Sequence, residues 1–147
     1  MGRRLIRNKK GAAMVELAII LPVLLVVLFA IFEFALLMYD KAMITNASRE
    51  GARAGIVFRV DSDENYFPRD QGEITQIVND YLSTYLLSFP SSPASTSVAP
   101  TQCPPLNAAT REITVTVTYQ YNFFILPNFI TSLLPINLSA STLMRCE

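Results

Sequence analysis

The 147-residue chain contains no histidine, the side chain that most often serves as a general base or metal ligand near neutral pH. It also lacks the short motifs of nucleophile elbows, phosphate-binding loops, CxxC redox pairs and HExxH metal sites. These absences argue against an enzyme. We therefore predict no catalytic residues, no cofactor and no bound metal.

Basic residues are scarce outside the N-terminus. Five of the 12 Lys and Arg residues lie in residues 1–11, which hold none of the 12 acids. Without that leader, seven basic and 12 acidic residues remain, a net charge of −5. Proteins that bind nucleic acid need a basic patch, and none is expected here. The leader is therefore interpreted as a membrane-topology signal, and nucleic acid is not expected as a partner.

Charge is also nearly absent from the 29 residues Gly11 to Tyr39, where only Glu16 and Glu33 are ionisable carboxylates. As an α-helix this stretch is about 43 Å long, enough to cross a bilayer. A basic segment before a first hydrophobic helix keeps that end in the cytoplasm. The sequence predicts a single-pass protein in contact with membrane lipid, with its N-terminus inside and the rest outside.

The junction between leader and helix is unusual because a carboxylate, Glu16, follows it closely. A charge at that depth is costly in a membrane and calls for a partner or a function. If the chain were cut after Gly11, Glu16 would be the fifth residue of the product and could pair with the free amine of Ala12. The alternative is an uncut signal anchor whose Glu16 reaches back to the cytoplasmic interface.

A short basic leader ending in Gly, with Glu fifth after it, resembles the class III signal of type IV prepilins. The chain also resembles TadE-like pseudopilins of tight-adherence (Flp) pilus systems. Three features carry this resemblance: the sequence AAMVELAIILPVLL, the second acid Glu33 and the later sequence ASREGARAG. This resemblance is dense over residues 11–55. It implies a minor pilin-like protein of the bacterial cytoplasmic membrane, either retained there or incorporated into a surface pilus. It also implies a prepilin peptidase, other pilin or pseudopilin subunits and the pilus assembly platform as partners.

The helix is expected to continue past the membrane, over residues 12–57. Ala47, Gly51 and Gly55 recur every four residues and form a smooth stripe that lets another backbone approach closely. The stripe is expected to pack either on the protein's own outer domain or on another subunit. Glu33 lies about 100° around the helix from Glu16, so the two do not share a face. We interpret Glu33 as an interface carboxylate or, alternatively, a subunit contact.

Residues 58–147 predict a small extracytoplasmic α+β domain. Asp70 to Leu87 has the i, i+3, i+4 spacing of an amphipathic helix, with Asp70 as N-cap and Glu73 completing a start like a capping box. Glu112 to Asn122 and Ile136 to Arg145 alternate between apolar and polar side chains, which predicts two antiparallel strands.

The only two cysteines, Cys103 and Cys146, both fall in this outer domain. In an oxidising compartment such a pair is usually a disulfide, here closing a loop of about 42 residues. The predicted strand pairing also brings Cys146 towards Cys103. Two free thiols are the alternative.

Two segments are predicted to lack regular structure. Residues 56–70 form a connecting loop with an acidic patch at 61–65, and residues 89–107, rich in Ser and Pro, form an extended loop. The apolar segment Phe123 to Pro135 is too short to span a membrane. It is expected to cover the amphipathic helix, dip into the outer leaflet or meet a partner.

Two functions follow from these observations. The first is a pseudopilin that a peptidase cuts after Gly11. The second is an unprocessed single-pass anchor that displays a small binding domain outside the cell membrane.

Overall fold

The computed structural model describes residues 9–60, 66–87, 96–104, 111–123 and 136–146. Its elements, in chain order, are α1 (Lys9–Gly55), β1 (Arg59–Val60), β2 (Tyr66–Phe67), α2 (Gln71–Tyr85), β3 (Thr96–Pro100), β4 (Glu112–Tyr121) and β5 (Ile136–Arg145). The predicted fold class is confirmed: a long N-terminal helix leads into a small α+β domain.

Helix α1 has two halves with different surroundings. Residues 11–32 are exposed over their whole length, whereas from Glu33 onward one face of the helix is covered. Its most apolar window has a mean hydropathy of 3.0 and buries nothing. By length and composition, α1 is the one helix among the described residues that can cross a membrane. We call residues 11–32 the bare segment.

Helix α2 begins as predicted and ends two residues earlier. The Asp70 carboxylate accepts a hydrogen bond from the Gly72 amide at 3.0 Å, which caps the N-terminus. Glu73 does not complete a capping box, because its Oε1 accepts from Arg59 at 2.6 Å instead. The buried residues Ile74, Val78 and Leu82 form the apolar stripe that the spacing predicted.

The main sheet has the order β3-β4-β5, with both pairs antiparallel. The β4–β5 register runs from Glu112 opposite Arg145 to Tyr121 opposite Ile136, so the predicted strand pair is confirmed. Every second residue of β4 is buried beneath the helices, namely Ile113, Val115, Val117, Tyr119 and Tyr121. Helix α1 contacts β4 and β5, and α2 contacts α1 and β3.

Strand β3 corrects the prediction of an extended loop over residues 89–107. It lies at the sheet edge, where a proline can be accommodated. The Thr101 amide donates to the Thr114 carbonyl. Backbone amides along a strand point alternately to its two sides, so the nitrogen of the preceding Pro100 points to the open edge and not to β4. The missing amide donor therefore costs no bond in the ladder.

The segment predicted as a loop at residues 56–70 contains the short ribbon of β1 and β2, which is a second correction. This ribbon places Arg59 beside Glu73 at the start of α2. The acidic patch at 61–65 and residues 124–135 of the apolar segment lie outside the described residues.

Candidate functional site at the junction of helix and outer domain

The residues of the predicted processing site lie at the start of the bare segment. Gly11, Ala12 and Glu16 are all exposed, and a Cβ added at Gly11 would meet nothing within 4 Å. The described part of the outer domain leaves this end of α1 uncovered, so it is accessible to other proteins or to lipid.

Where the bare segment ends, four polar side chains form a buried group that we call the junction cluster: Glu33, Asp40, Tyr119 and Tyr121. The Tyr121 hydroxyl donates to Glu33 Oε1 at 2.9 Å, across 88 residues of sequence. Glu33 is 5% exposed and Tyr121 is 4% exposed. Glu33 is thus bonded within its own chain, a partner that neither sequence interpretation anticipated.

Asp40 occupies the second position of the cluster and is fully buried. Its Oδ1 accepts from the Leu87 amide at 3.3 Å, beyond the C-terminal end of α2. Burial raises the pKa of Asp40 to about 6, although the Leu87 hydrogen bond opposes the shift. Burial and the Asp40 charge together raise the pKa of Tyr119 to about 12. Burial and the hydrogen bond to Glu33 raise the pKa of Tyr121 as well, so its hydroxyl stays protonated and can donate to Glu33.

The junction cluster was missed in the sequence although a signal for it exists. Glu33, Asp40 and Ala47 are spaced by seven residues, which is close to two turns and places them on one helical face. Glu16, the other acid of the apolar stretch, lies on a different face of the helix and is not part of the cluster. The partners Tyr119 and Tyr121 belong to a strand far along the chain, and no local pattern links them to α1.

The small-residue stripe packs within the chain. A Cβ added at Gly51 would lie 2.5 Å from Val78 Cγ2 and 3.2 Å from Val115 Cγ1. One added at Gly55 would collide with Ile113 and lie 3.0 Å from Ile74 Cδ1. Ala47 is fully buried in the same core. The stripe therefore brings α1 close to α2 and β4, leaving no room on this face for another subunit's helix.

Polar contacts further fix α1 to β5. The Ser48 and Thr142 hydroxyls are 2.7 Å apart, and Ser48 also donates to the Thr45 carbonyl at 2.8 Å. Lys41 Nζ donates to the carbonyl of Ser139. These contacts, with the stripe and the junction cluster, hold α1 along its outer half.

A disulfide joins Cys103 to Cys146 at the far end of the domain. Cys103 Sγ lies 3.4 Å from the carbonyl oxygen of Gly55, the last residue of α1. The Cys146 amide donates to the Arg111 carbonyl and extends the β4–β5 ladder by one pair. The bridge therefore ties the chain after β3 to the end of β5.

One half of α1 is bare, and the other half is packed into a small α+β domain. This architecture is that of a small domain that a single helix can attach to a membrane. The family model of TadE-like proteins matches residues 11–53, nearly all of α1 and none of α2 or the sheet. This match confirms the resemblance predicted from the sequence. Comparison with curated proteins gave no match, and comparison with solved structures gave none either.

The TadE-like match covers α1 and leaves the outer domain without a comparison of its own. Within the part of the chain that the structure describes, no group of three or more His, Cys, Asp or Glu side chains is placed to hold a metal ion. The hydrogen bonds of the junction cluster join α1 to β4 and to the end of α2.

Proposed function

We propose that this protein is a minor, pilin-like subunit for assembly of a tight-adherence pilus. The observation that carries the proposal is the TadE-like match over a helix whose first 22 matched residues are bare. At about 1.5 Å per residue the bare segment is about 33 Å long, close to the thickness of a bilayer core. The basic leader keeps the N-terminus in the cytoplasm and places the domain outside.

Maturation follows from the chemistry of the junction. Cleavage between Gly11 and Ala12 by a prepilin peptidase removes all five basic leader residues and creates an amine at Ala12. Glu16 lies about 6 Å along the axis from that amine. Each charge offsets the cost of the other in lipid, on one chain or between neighbouring subunits.

The outer half of α1 determines how the domain responds when the helix moves. Because Ile44, Ala47 and Ala52 are part of the hydrophobic core, the domain and helix move as one body. A force applied to the mature helix by the assembly platform is transmitted directly to the sheet. Other pilin or pseudopilin subunits then contact the bare segment, whose apolar surface is uncovered.

N-terminal sequencing of the protein purified from its native membrane tests this proposal. We expect a chain that starts at Ala12, and an uncut chain in a strain that lacks the peptidase. Gly11→Leu should block the cut, while Gly2→Leu, in the same leader, should not. A native chain that still begins at Met1 or Gly2 would instead support the uncut anchor displaying a binding domain.

Glu16→Gln separates cleavage from the later role of the carboxylate. If Glu16 pairs with the Ala12 amine only after cleavage, the variant is cut normally but fails to restore pilus formation in a deletion strain. Normal piliation by the cut variant would remove the role proposed for that pair.

A further inference from the structure

Glu16 and Glu33 lie too close together along α1 for both to reach the two surfaces of the hydrocarbon core of a bilayer. Glu16 and Glu33 are 17 residues apart, about 26 Å along a helix, whereas the hydrocarbon core is about 30 Å thick. Tilting the helix shortens the span further. Both carboxylates therefore cannot lie in the headgroup regions at once. If Glu16 lies at the cytoplasmic boundary, Glu33 lies about 4 Å below the outer one.

Glu33 can lie below the outer boundary because its own outer domain shields its carboxylate from lipid. It is 5% exposed and accepts a hydrogen bond from Tyr121, so neither water nor lipid has to solvate it. The end of the domain that covers Glu33 must then reach the lipid as well. We call this end the base, made of residues 33–41, 81–87, 119–123 and 136–139.

The surface of the base matches a membrane interface. Its exposed large side chains are apolar or aromatic: Phe34, Met38, Tyr39, Tyr85 and Leu87. Glu33 and Asp40 are buried, and Lys41 donates to the Ser139 carbonyl. These ranges contain no other charged residue.

Most charged side chains of the described outer domain lie away from the base, although exposed Asp80 adjoins it. Arg59 pairs with Glu73 at the start of α2, and Glu112 lies opposite Arg145 at the far end of the β4–β5 ladder. The chain carries no charge between Asp80 and Arg111 or between Glu112 and Arg145. Such segregation is expected if one end faces lipid and the other faces water.

The tyrosines of the base lie at the level where membrane proteins concentrate them. The Tyr39 hydroxyl donates to the Tyr85 carbonyl at 3.2 Å, so the end of α2 is level with residue 39. Residue 39 is about 9 Å beyond Glu33, which places it and the Tyr85 carbonyl about 5 Å outside the hydrocarbon boundary. Tyr and Trp rings are enriched in this headgroup layer.

We propose that the base is a lipid-contacting surface that seats the outer domain in the headgroup layer of the outer leaflet. The proposal rests on the membrane anchorage given above and adds the domain itself as a lipid-binding element. Its ligand is the bilayer interface rather than a second protein. The surface orients the domain and keeps Glu33 sealed from lipid while the protein is in the membrane.

The absence of tryptophan from the chain allows a direct test. Single tryptophans are introduced into the full chain at Tyr85 and Leu87 in the base, at Tyr66 near the opposite end, and at Phe29 in the bare segment. Tyr85 and Tyr66 are matched, since both are exposed aromatic residues. Each variant is reconstituted in vesicles of zwitterionic and anionic phospholipid, with lipids brominated high on the acyl chain as quenchers.

We expect Phe29→Trp, Tyr85→Trp and Leu87→Trp to lose about half of their emission and Tyr66→Trp to lose almost none. Quenching at Phe29 with both base positions as unquenched as Tyr66 would overturn the lipid-contacting base but leave the anchor intact. No quenching at Phe29 would refute the anchor, and with it both proposals. Urea unfolding like that of the unmodified protein shows that the domain of each variant is folded, and two base positions guard against a local disturbance.

Discussion

The bond between Tyr121 and Glu33 should be among the strongest single contacts between the outer domain and α1. Tyr121→Phe removes only the hydroxyl that donates to Glu33 at 2.9 Å and leaves the ring in place. Both residues are buried, so water cannot replace the lost donor. A hydrogen bond to a charged group contributes about 1.5–3 kcal/mol to stability. We expect the free energy of unfolding of the domain to fall by that amount.

Measuring Tyr121→Phe in a Glu33→Leu variant tests whether the Tyr121 hydroxyl stabilises the domain through Glu33. When both polar partners are replaced by apolar groups, the loss is small because no buried group loses a partner. We therefore expect Tyr121→Phe to cost less than about 0.5 kcal/mol in a Glu33→Leu background. Tyr85→Phe is the control, since its side chain is 48% exposed.

Urea unfolding of the full chain in detergent micelles, followed by the near-ultraviolet circular dichroism of its tyrosines, gives these free energies. The bare segment stays in the micelle, so the transition reports on the outer domain. If Tyr121→Phe costs the same with Glu33 and with Leu at that position, the hydrogen bond is not the source of the effect. The junction cluster would then be packing alone.

Three further predictions use the same unfolding assay. Gly51→Ala should destabilise the domain by up to about 2 kcal/mol. The steric cost against the stiff Val78 side chain, about 1–3 kcal/mol, exceeds the gain in helix propensity of about 1 kcal/mol. Gly11→Ala is the control and should leave domain stability unchanged, so equal effects of the two substitutions would contradict the packing at Gly51. Replacing both cysteines, 43 residues apart, by Ser should cost about 4 kcal/mol in the chain-entropy model, and a loss below about 1 kcal/mol would refute it. The raised pKa of Asp40, from 3.8 to about 6, means that the folded state binds its proton more tightly, so stability should fall as pH rises from about 4 to 6, by at most about 3 kcal/mol. Asp40→Asn should abolish that slope, and an unchanged slope would assign it to another group.

Periodicity predicted the elements whose burial follows a regular pattern. The strict alternation in Glu112–Tyr121 and the spacing of Ile74, Val78 and Leu82 each describe one buried face, and a buried face is a property of a single element. Strand β3 was not predictable in this way because its position at the sheet edge depends on β4. Its Ser, Ala and Pro residues carry no strand signal of their own.

The candidate site was only half predictable for the same reason. Gly11, Ala12 and Glu16 lie within one six-residue stretch, so their spacing carries the signal that the resemblance uses. Glu33 was singled out as a carboxylate in an apolar helix, but its partner is 88 residues away. Sequence shows that such a carboxylate needs a partner, and only the fold identifies which one.

The two glutamates of α1 therefore differ in what they require from other molecules. Glu33 carries its donor, Tyr121, within the same chain, so its environment is preserved whether the helix lies in a membrane or in a filament. Glu16 is exposed on the bare segment, and its environment changes whenever the helix changes surroundings. Under the proposed function, Glu16 is the carboxylate whose interaction energy differs between the membrane and the filament. Glu33 fixes the outer domain to α1 through Tyr121. Glu16→Gln should accordingly alter assembly with no effect on domain unfolding, and Glu33→Leu should alter the unfolding of the domain in the isolated protein.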